Sequence, residues 1–134
     1  MADEIQLRIV TPSAELLDER VMEVTAPGTL GEFGVLPDHA TFLSSLEIGR
    51  LSYRTPRAVH HIAVRAGFAE VSNNVMTVLA DDAERSADVN VAAARESLQA
   101  AEQALAKLSP IDPEYEEVGA ERDWALARLE TASK

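Results

Sequence analysis

The chain has 134 residues, 46% hydrophobic and 26% charged, enough for one ordinary domain or a small domain with an appendage. Twelve basic residues against 23 acidic ones give a formal net charge of -11, which opposes phosphate backbones and anionic headgroups and argues against a nucleic-acid partner. The absence of cysteine rules out disulfides and thiolate metal sites and suits a reducing intracellular compartment; no apolar run reaches the roughly 20 residues of a membrane-spanning helix, and Met1-Ala2-Asp3-Glu4 lacks the basic opening of a secretory signal.

Ile5, Leu7 and Ile9 alternate with Gln6, Arg8 and Val10, the period of a strand with one buried face, and Thr11-Pro12-Ser13 ends it. Val21, Met22 and Val24 form a second short run, stopped by Pro27-Gly28. Gly31 to Ala40 reads as a tight loop bracketed by glycines. The segment Leu43 to Tyr53 is broken only by Gly49, and His61 to Val71 leads into Ser72-Asn73-Asn74 before Val75 to Leu79 returns. Asn tolerates positive φ, so Asn73-Asn74 between two β-rich runs predicts a hairpin turn. Short strands at this spacing, with no helix-length segment between them, predict an antiparallel sandwich or barrel.

The grammar changes near residue 85. Five of the six Gly and four of the six Pro precede it, whereas Ala, Glu, Leu and Gln dominate the C-terminal stretch. Val91, Ala94, Leu98, Ala101, Leu105 and Leu108 recur at the spacing of one helix face, with Asp88 or Asn90 as its cap. Pro110 breaks this helix, and Asp112-Pro113 predicts the cap and first position of a second one. Glu114, Glu116 and Glu117 favour the positive end of its dipole, and Tyr115, Val118, Ala125 and Leu129 form a sparser seam with Trp124 just off it. Small alanines on both seams permit a close antiparallel pair. Such a hairpin buries little area and must lean on something else. The expected division is a β-sandwich at residues 1–85 and a helical hairpin at 86–134.

Candidates for chemistry are few. His60 and His61 are adjacent on a strand, so they point to opposite faces and cannot share one ion; His39 is the third histidine. Asp81, Asp82 and Glu84 at the junction could serve a metal-dependent enzyme or an acidic binding module, or form a solvated linker. Gly28, Gly31 and Gly34 lack the following Lys and Ser/Thr of a phosphate loop. An adaptor whose hairpin captures a partner helix is a third reading.

The run Gly31-Glu32-Phe33-Gly34-Val35-Leu36-Pro37-Asp38-His39-Ala40 resembles the signature of the epsilon subunit of F-type rotary ATP synthases, called delta in mitochondria. Val10-Thr11-Pro12, Ala66-Gly67-Phe68-Ala69-Glu70-Val71, and Val78-Leu79-Ala80 followed by Ala83-Glu84-Arg85 match in order, and Asp38 replaces a usual Gly. The resemblance spans the whole chain. It implies a sandwich of two stacked sheets with a C-terminal helix-turn-helix, acting as a non-catalytic central-stalk subunit bound to the gamma subunit and the membrane ring of c subunits. Glu32 and His39 are the implied contacts to the c ring, and the implied location is the cytoplasmic face of a bacterial inner membrane. No metal or cofactor is expected.

In the family the hairpin can also extend toward the alpha and beta subunits and inhibit hydrolysis through basic residues of its second helix. Here residues 112–134 hold seven acids against Arg122, Arg128 and Lys134, so electrostatic inhibition should be weak, with Arg122 and Arg128 carrying what remains. Some members bind ATP through an Ile/Leu-Asp-x-x-Arg-Ala motif. The matching stretch runs from Val89 and Asn90 to Ala93 and Ala94, with Asn90 in place of the Asp and Ala93 in place of the Arg. Losing a charge-assisted donor of about 1.5–3 kcal/mol lowers affinity roughly tenfold to a hundredfold, and Arg95 projects from nearly the opposite side of the helix, about 200° away. Calorimetric titration with Mg-ATP is therefore expected to show no micromolar isotherm; a clear one-to-one curve would overturn this.

Overall fold

Ile5, Leu7 and Ile9 are each fully buried while Gln6, Arg8 and Val10 between them are half-exposed, so the first strand's alternation is the folded pattern. The computed structural model describes residues 2–133; Met1 and Lys134 lie outside them. Eight strands form, in chain order, β1 (Ile5–Val10), β2 (Glu15–Val21), β3 (Glu23–Gly28), β4 (Gly31–Val35), β5 (Phe42–Arg54), β6 (Val59–Ser72), β7 (Val75–Ala80) and β8 (Ala83–Arg85). A short 3-10 turn, Ser86–Asp88, leads to two helices, α1 (Val91–Leu105) and α2 (Tyr115–Ala132).

The strands are hydrogen-bonded in the order β2-β1-β7-β6-β5-β3-β4, with β8 alongside β6. The result is a sandwich whose two layers are continuous, because β5 and β6, 13 and 14 residues long, serve both. The C-terminal half of β6 pairs with β7 and its N-terminal half with β8. A strand that does this must present opposite sides to one core, and the burial shows the change: Ile62 and Val64 face the core, then Ala69 and Val71. Ala66 and Gly67 lie between, both at positive φ, 56° and 121°. A Cβ on Gly67 would run into the Leu79 carbonyl oxygen, so the position requires glycine on both counts. β5 changes phase as well, from Leu46 to Leu51 and Tyr53. Gly49 between them lets Pro27 approach to where a Cβ would sit 2.9 Å from it. Pro27 lies at an irregularity between Thr25 and Gly28 in the β3–β5 register, where its missing N–H is tolerated.

Several expectations are corrected. The sheet is not wholly antiparallel, since β1 and β7 pair in parallel. The first half of the glycine-bracketed loop is β4, an edge strand in hairpin with β3; its glycines weakened the strand signal. Pro27-Gly28 lies within β3, and the second run is split at Met22, which joins β2 to β3 and donates its N–H to the Arg54 carbonyl at 2.7 Å. α1 stops at Leu105, not Leu108. Asp112 does not cap α2: its Oδ2 accepts from the Ser109 N–H at 2.6 Å and its carbonyl from the Tyr115 N–H at 3.1 Å, so it closes the connecting turn. Asn90 does cap α1, its Oδ1 accepting from the Ala93 N–H at 3.0 Å. The Asn73-Asn74 turn forms as expected, with φ of 51° and 62°.

The main core is built from strand residues alone. The hairpin rests on the sandwich through a second small cluster in which Trp124 and Ala127 pack on Ala63 and Ile48. Because the strand half buries its own apolar side chains, a chain ending at Arg85 is expected to keep a cooperative thermal transition. Circular dichroism melting checks this, and a broad non-cooperative loss of signal would contradict it.

Candidate functional site

On β4, Glu32 stands opposite Pro27 and is exposed on the sheet edge. His39 follows the strand in a short turn closed by its own N–H to the Leu36 carbonyl at 3.2 Å. Its Nδ1 lies 2.8 Å from the Ala40 carbonyl oxygen, and its ring meets Phe42 edge-on at 5.8 Å, with Phe33 beyond at 5.0 Å. No hydrogen bond or ion pair joins Glu32 to His39 among the described residues. Asp38 adopts φ 62°, the left-handed region that Asp tolerates better than most residues. Its N–H donates to Asn74 Oδ1 at 2.9 Å, and its Oδ2 accepts from the Ala2 N–H at 2.7 Å. Asn74 Nδ2 in turn donates to the Glu4 carbonyl at 2.8 Å.

The register reveals a surface that hydrophobic alternation alone did not single out. Phe68 lies opposite Leu79 and Ser45, Leu43 is two residues from Ser45 on the same side of β5, and Val10 lies opposite Leu79. Val10, Leu79, Phe68 and Leu43 thus form a stripe across four strands on the outer face of one layer. Leu43, Phe68 and Leu79 are 69%, 57% and 54% exposed. Exposed apolar side chains gathered in this way make the stripe a candidate contact surface.

The hairpin is fastened by charge as well as by Trp124. Arg65 on β6 reaches Glu121 at 2.8 Å and sits 5.9 Å over the Trp124 ring, a cation–π contact. Arg50 on β5 lies 3.5 Å from Glu130. Arg128 on α2 donates two hydrogen bonds to the Glu84 carboxylate on β8; this is the most enclosed pair, with side chains 16% and 25% exposed. Arg122 pairs only with its neighbour Asp123 among the described residues, at 3.1 Å.

The remaining candidates stay apart or take structural roles. Asp82 Oδ1 accepts from the Ala83 N–H at 2.8 Å, Glu84 is committed to Arg128, and Asp81 is exposed. No group of three or more carboxylates and histidines able to hold a metal occurs among the described residues. His60 stacks on Tyr53 at 4.9 Å, whereas His61 Nδ1 lies 2.6 Å from Ser52 Oγ, the two rings on opposite faces as expected. In the degenerate nucleotide stretch, Val89 precedes the cap, Asn90 is the cap, Ala93 supplies the capped N–H, and Ala94 is fully buried. Burial, and then the neighbouring Glu19 carboxylate, push the Tyr53 phenol above its ordinary value, so it remains protonated at neutral pH.

A two-layer sandwich carrying this loop and a docked hairpin meets its relatives here. Residues 4–86 match the family model for the beta-sandwich domain of the ATP synthase Delta/Epsilon chain. The chain belongs to the ATP synthase delta/epsilon family. It is 43% identical to the ATP synthase epsilon chain of Geotalea daltonii and 43% identical to that of Geobacter sulfurreducens, in each case over 100% of this chain and 97% of the relative. The family's fold also appears in a chain from the cryo-EM structure of the Euglena gracilis mitochondrial ATP synthase. That chain has a TM-score of 0.83 and 21% identity and covers 100% of this chain, which covers 84% of it in turn. A chain in the Tetrahymena thermophila mitochondrial ATP synthase central stalk/c-ring structure gives a TM-score of 0.55 at 17% identity, over 63% of this chain and 69% of the other.

Arg128→Ala would leave the Glu84 carboxylate half-buried and unpaired, at a cost of about 1–3 kcal/mol, most of it falling on hairpin docking. Trp124 is the only tryptophan and lies in the contact, so its fluorescence should shift to the red. The Arg122→Ala spectrum should stay unchanged.

Proposed function

We propose that the chain is a non-catalytic central-stalk subunit of a proton- or sodium-translocating F-type ATP synthase, linking the gamma subunit to the membrane ring of c subunits. The observation that carries this reading is the apolar stripe of Val10, Leu43, Phe68 and Leu79 on the outer face of a sandwich whose sequence matches epsilon chains from end to end. A part that passes torque between neighbours needs a stiff body and two interfaces, and no reacting groups. The stripe suits a broad apolar docking surface for gamma. Glu32 and His39, on a separate edge, suit a second, polar interface with the c ring: Glu32 is exposed and presents its charge, while His39 is held by Phe42 and the Ala40 carbonyl.

No described helix is long and apolar enough to cross a membrane, which fits a subunit held peripherally through its partners, at the cytoplasmic face of a bacterial inner membrane in our reading. The hairpin is a regulatory element in this proposal, able to meet alpha and beta only when released. Release requires the Arg128–Glu84, Arg65–Glu121 and Arg50–Glu130 pairs to part. The acidic excess of α2 then opposes an acidic target.

Co-purification with gamma tests the central claim. Phe68→Glu and Leu79→Glu each place a charge in the stripe and are expected to weaken gamma capture at least about tenfold, whereas Glu32→Gln should leave it intact and reduce only assembly with the c ring. Equal capture by all variants would refute the assignment of the two faces. Removing the hairpin is expected to change ATP hydrolysis by less than about threefold at physiological salt, measured in the reassembled complex.

A further inference from the structure

The chain holds ten arginines. Six of them, Arg8, Arg50, Arg54, Arg65, Arg122 and Arg128, make salt bridges with carboxylates. Of the four that make none among the described residues, three line one open cleft of about 400 Å³: Arg20, Arg57 and Arg85. In a protein with almost twice as many acids as bases, leaving three guanidinium groups together without carboxylate partners is the arrangement that needs a reason.

The cleft is built from three separate segments. β2 supplies Glu19 and Arg20, the turn after β5 supplies Arg57, and β8 supplies Arg85, whose Nη2 donates to the Leu16 carbonyl at 2.6 Å. Its wall is the stacked pair of Tyr53 and His60. The Thr55–Ala58 turn is closed by the Thr55 N–H to the Ala58 carbonyl at 2.9 Å, which fixes where Arg57 leaves the backbone. Among the described residues, Glu19 is the only carboxylate lining the cleft. Three arginines lining one cleft, with the His60 imidazole in the same lining, offer more donors than the single Glu19 carboxylate and the Leu16 carbonyl can use. A compact oxyanion with several acceptor oxygens satisfies them best.

We propose that this cleft binds a phosphate group, free or as the end of a small phosphate ester, through Arg20, Arg57 and Arg85. The site is separate from the nucleotide-like stretch at the start of α1 and uses no residue of the hairpin. Glu19 works against the ligand and limits its affinity. The two variant classes therefore have opposite signs, which a merely structural role would not produce.

Calorimetric titration of the full chain with inorganic phosphate in chloride buffer is expected to give a saturable one-to-one curve with Kd below about 1 mM. Arg20→Gln and Arg57→Gln, which break no salt bridge and should leave the melting curve unchanged, are each expected to weaken binding about tenfold, and Glu19→Gln to strengthen it about threefold. Arg95→Gln, the fourth arginine without a salt bridge but outside the cleft, should change nothing. Titration with glycerol phosphate distinguishes a free phosphate site from one that accepts esters, and either result supports the proposal. An absence of saturation by about 10 mM phosphate and about 10 mM ester, or equal effects of Arg95→Gln and Arg57→Gln, would overturn it. So would sedimentation with anionic phospholipid vesicles, or binding of polyglutamate, without binding of either small ligand.

Discussion

Everything in the sandwich depends on the change of face at Ala66-Gly67. A single strand with strict alternation can serve one buried side only. β6 contributes Ile62 and Val64, then Ala69 and Val71, to the same core because two successive residues at positive φ rotate the pleat between them. The same turn of the chain brings Phe68 to the outside, next to Leu79, and leaves Ala63 facing away from the main core, where Trp124 can rest on it. The core, the apolar stripe and the seat of the hairpin thus share one local cause. Ala66 bears the conformational cost of a side chain at φ 56°, of order 1 kcal/mol, which the pairing on both sides of it offsets.

The hairpin is joined on different terms. Between strands the apolar contacts are large and continuous, whereas α2 offers Trp124 and Ala127 to Ala63 and Ile48 and otherwise meets the sandwich through charged pairs. Small alanines, Ala94 and Ala101 on α1 and Ala125 on α2, let the helices come close but bury little area. The two parts of the molecule therefore differ in kind. One is held by burial that is insensitive to salt, the other by a small apolar contact and partly exposed ion pairs that salt weakens.

Much of this could be read in the residues beforehand, because the relevant signals are local. Alternation at Ile5, Leu7 and Ile9, two asparagines in a turn, and the three-and-four spacing from Val91 each express geometry within a few residues. What escaped was decided at a distance. The parallel pairing of β1 with β7 joins distant parts of the chain, Gln6 with Val75 for one, and leaves no mark on either strand. β4 was hidden because its glycines and Pro37 read as turn chemistry, although β3 beside it supplies the pairing. Asp112 has the residue type of a cap and instead closes a turn with Ser109, whose N–H donates to its side chain. The site residues divide in the same way. Glu32 and His39 are proposed from a motif alone, whereas Leu43, Phe68 and Leu79 become a surface only when the register aligns them, and the clustering of Arg20, Arg57 and Arg85 requires three separate segments to be assembled.

The knot at Asp38 sets the stiffness of one corner of the molecule. Ala2 near the start of the chain, Asp38 in the loop and Asn74 in the β6–β7 turn are tied together by direct hydrogen bonds, and Asn74 also holds Glu4. A push on the loop beside His39 therefore does not bend a free arm; it is divided at once between β1 and β7, which lie side by side and in parallel. The loop is thus fastened where β1 and β7 both begin, and it moves with those paired strands and not apart from them.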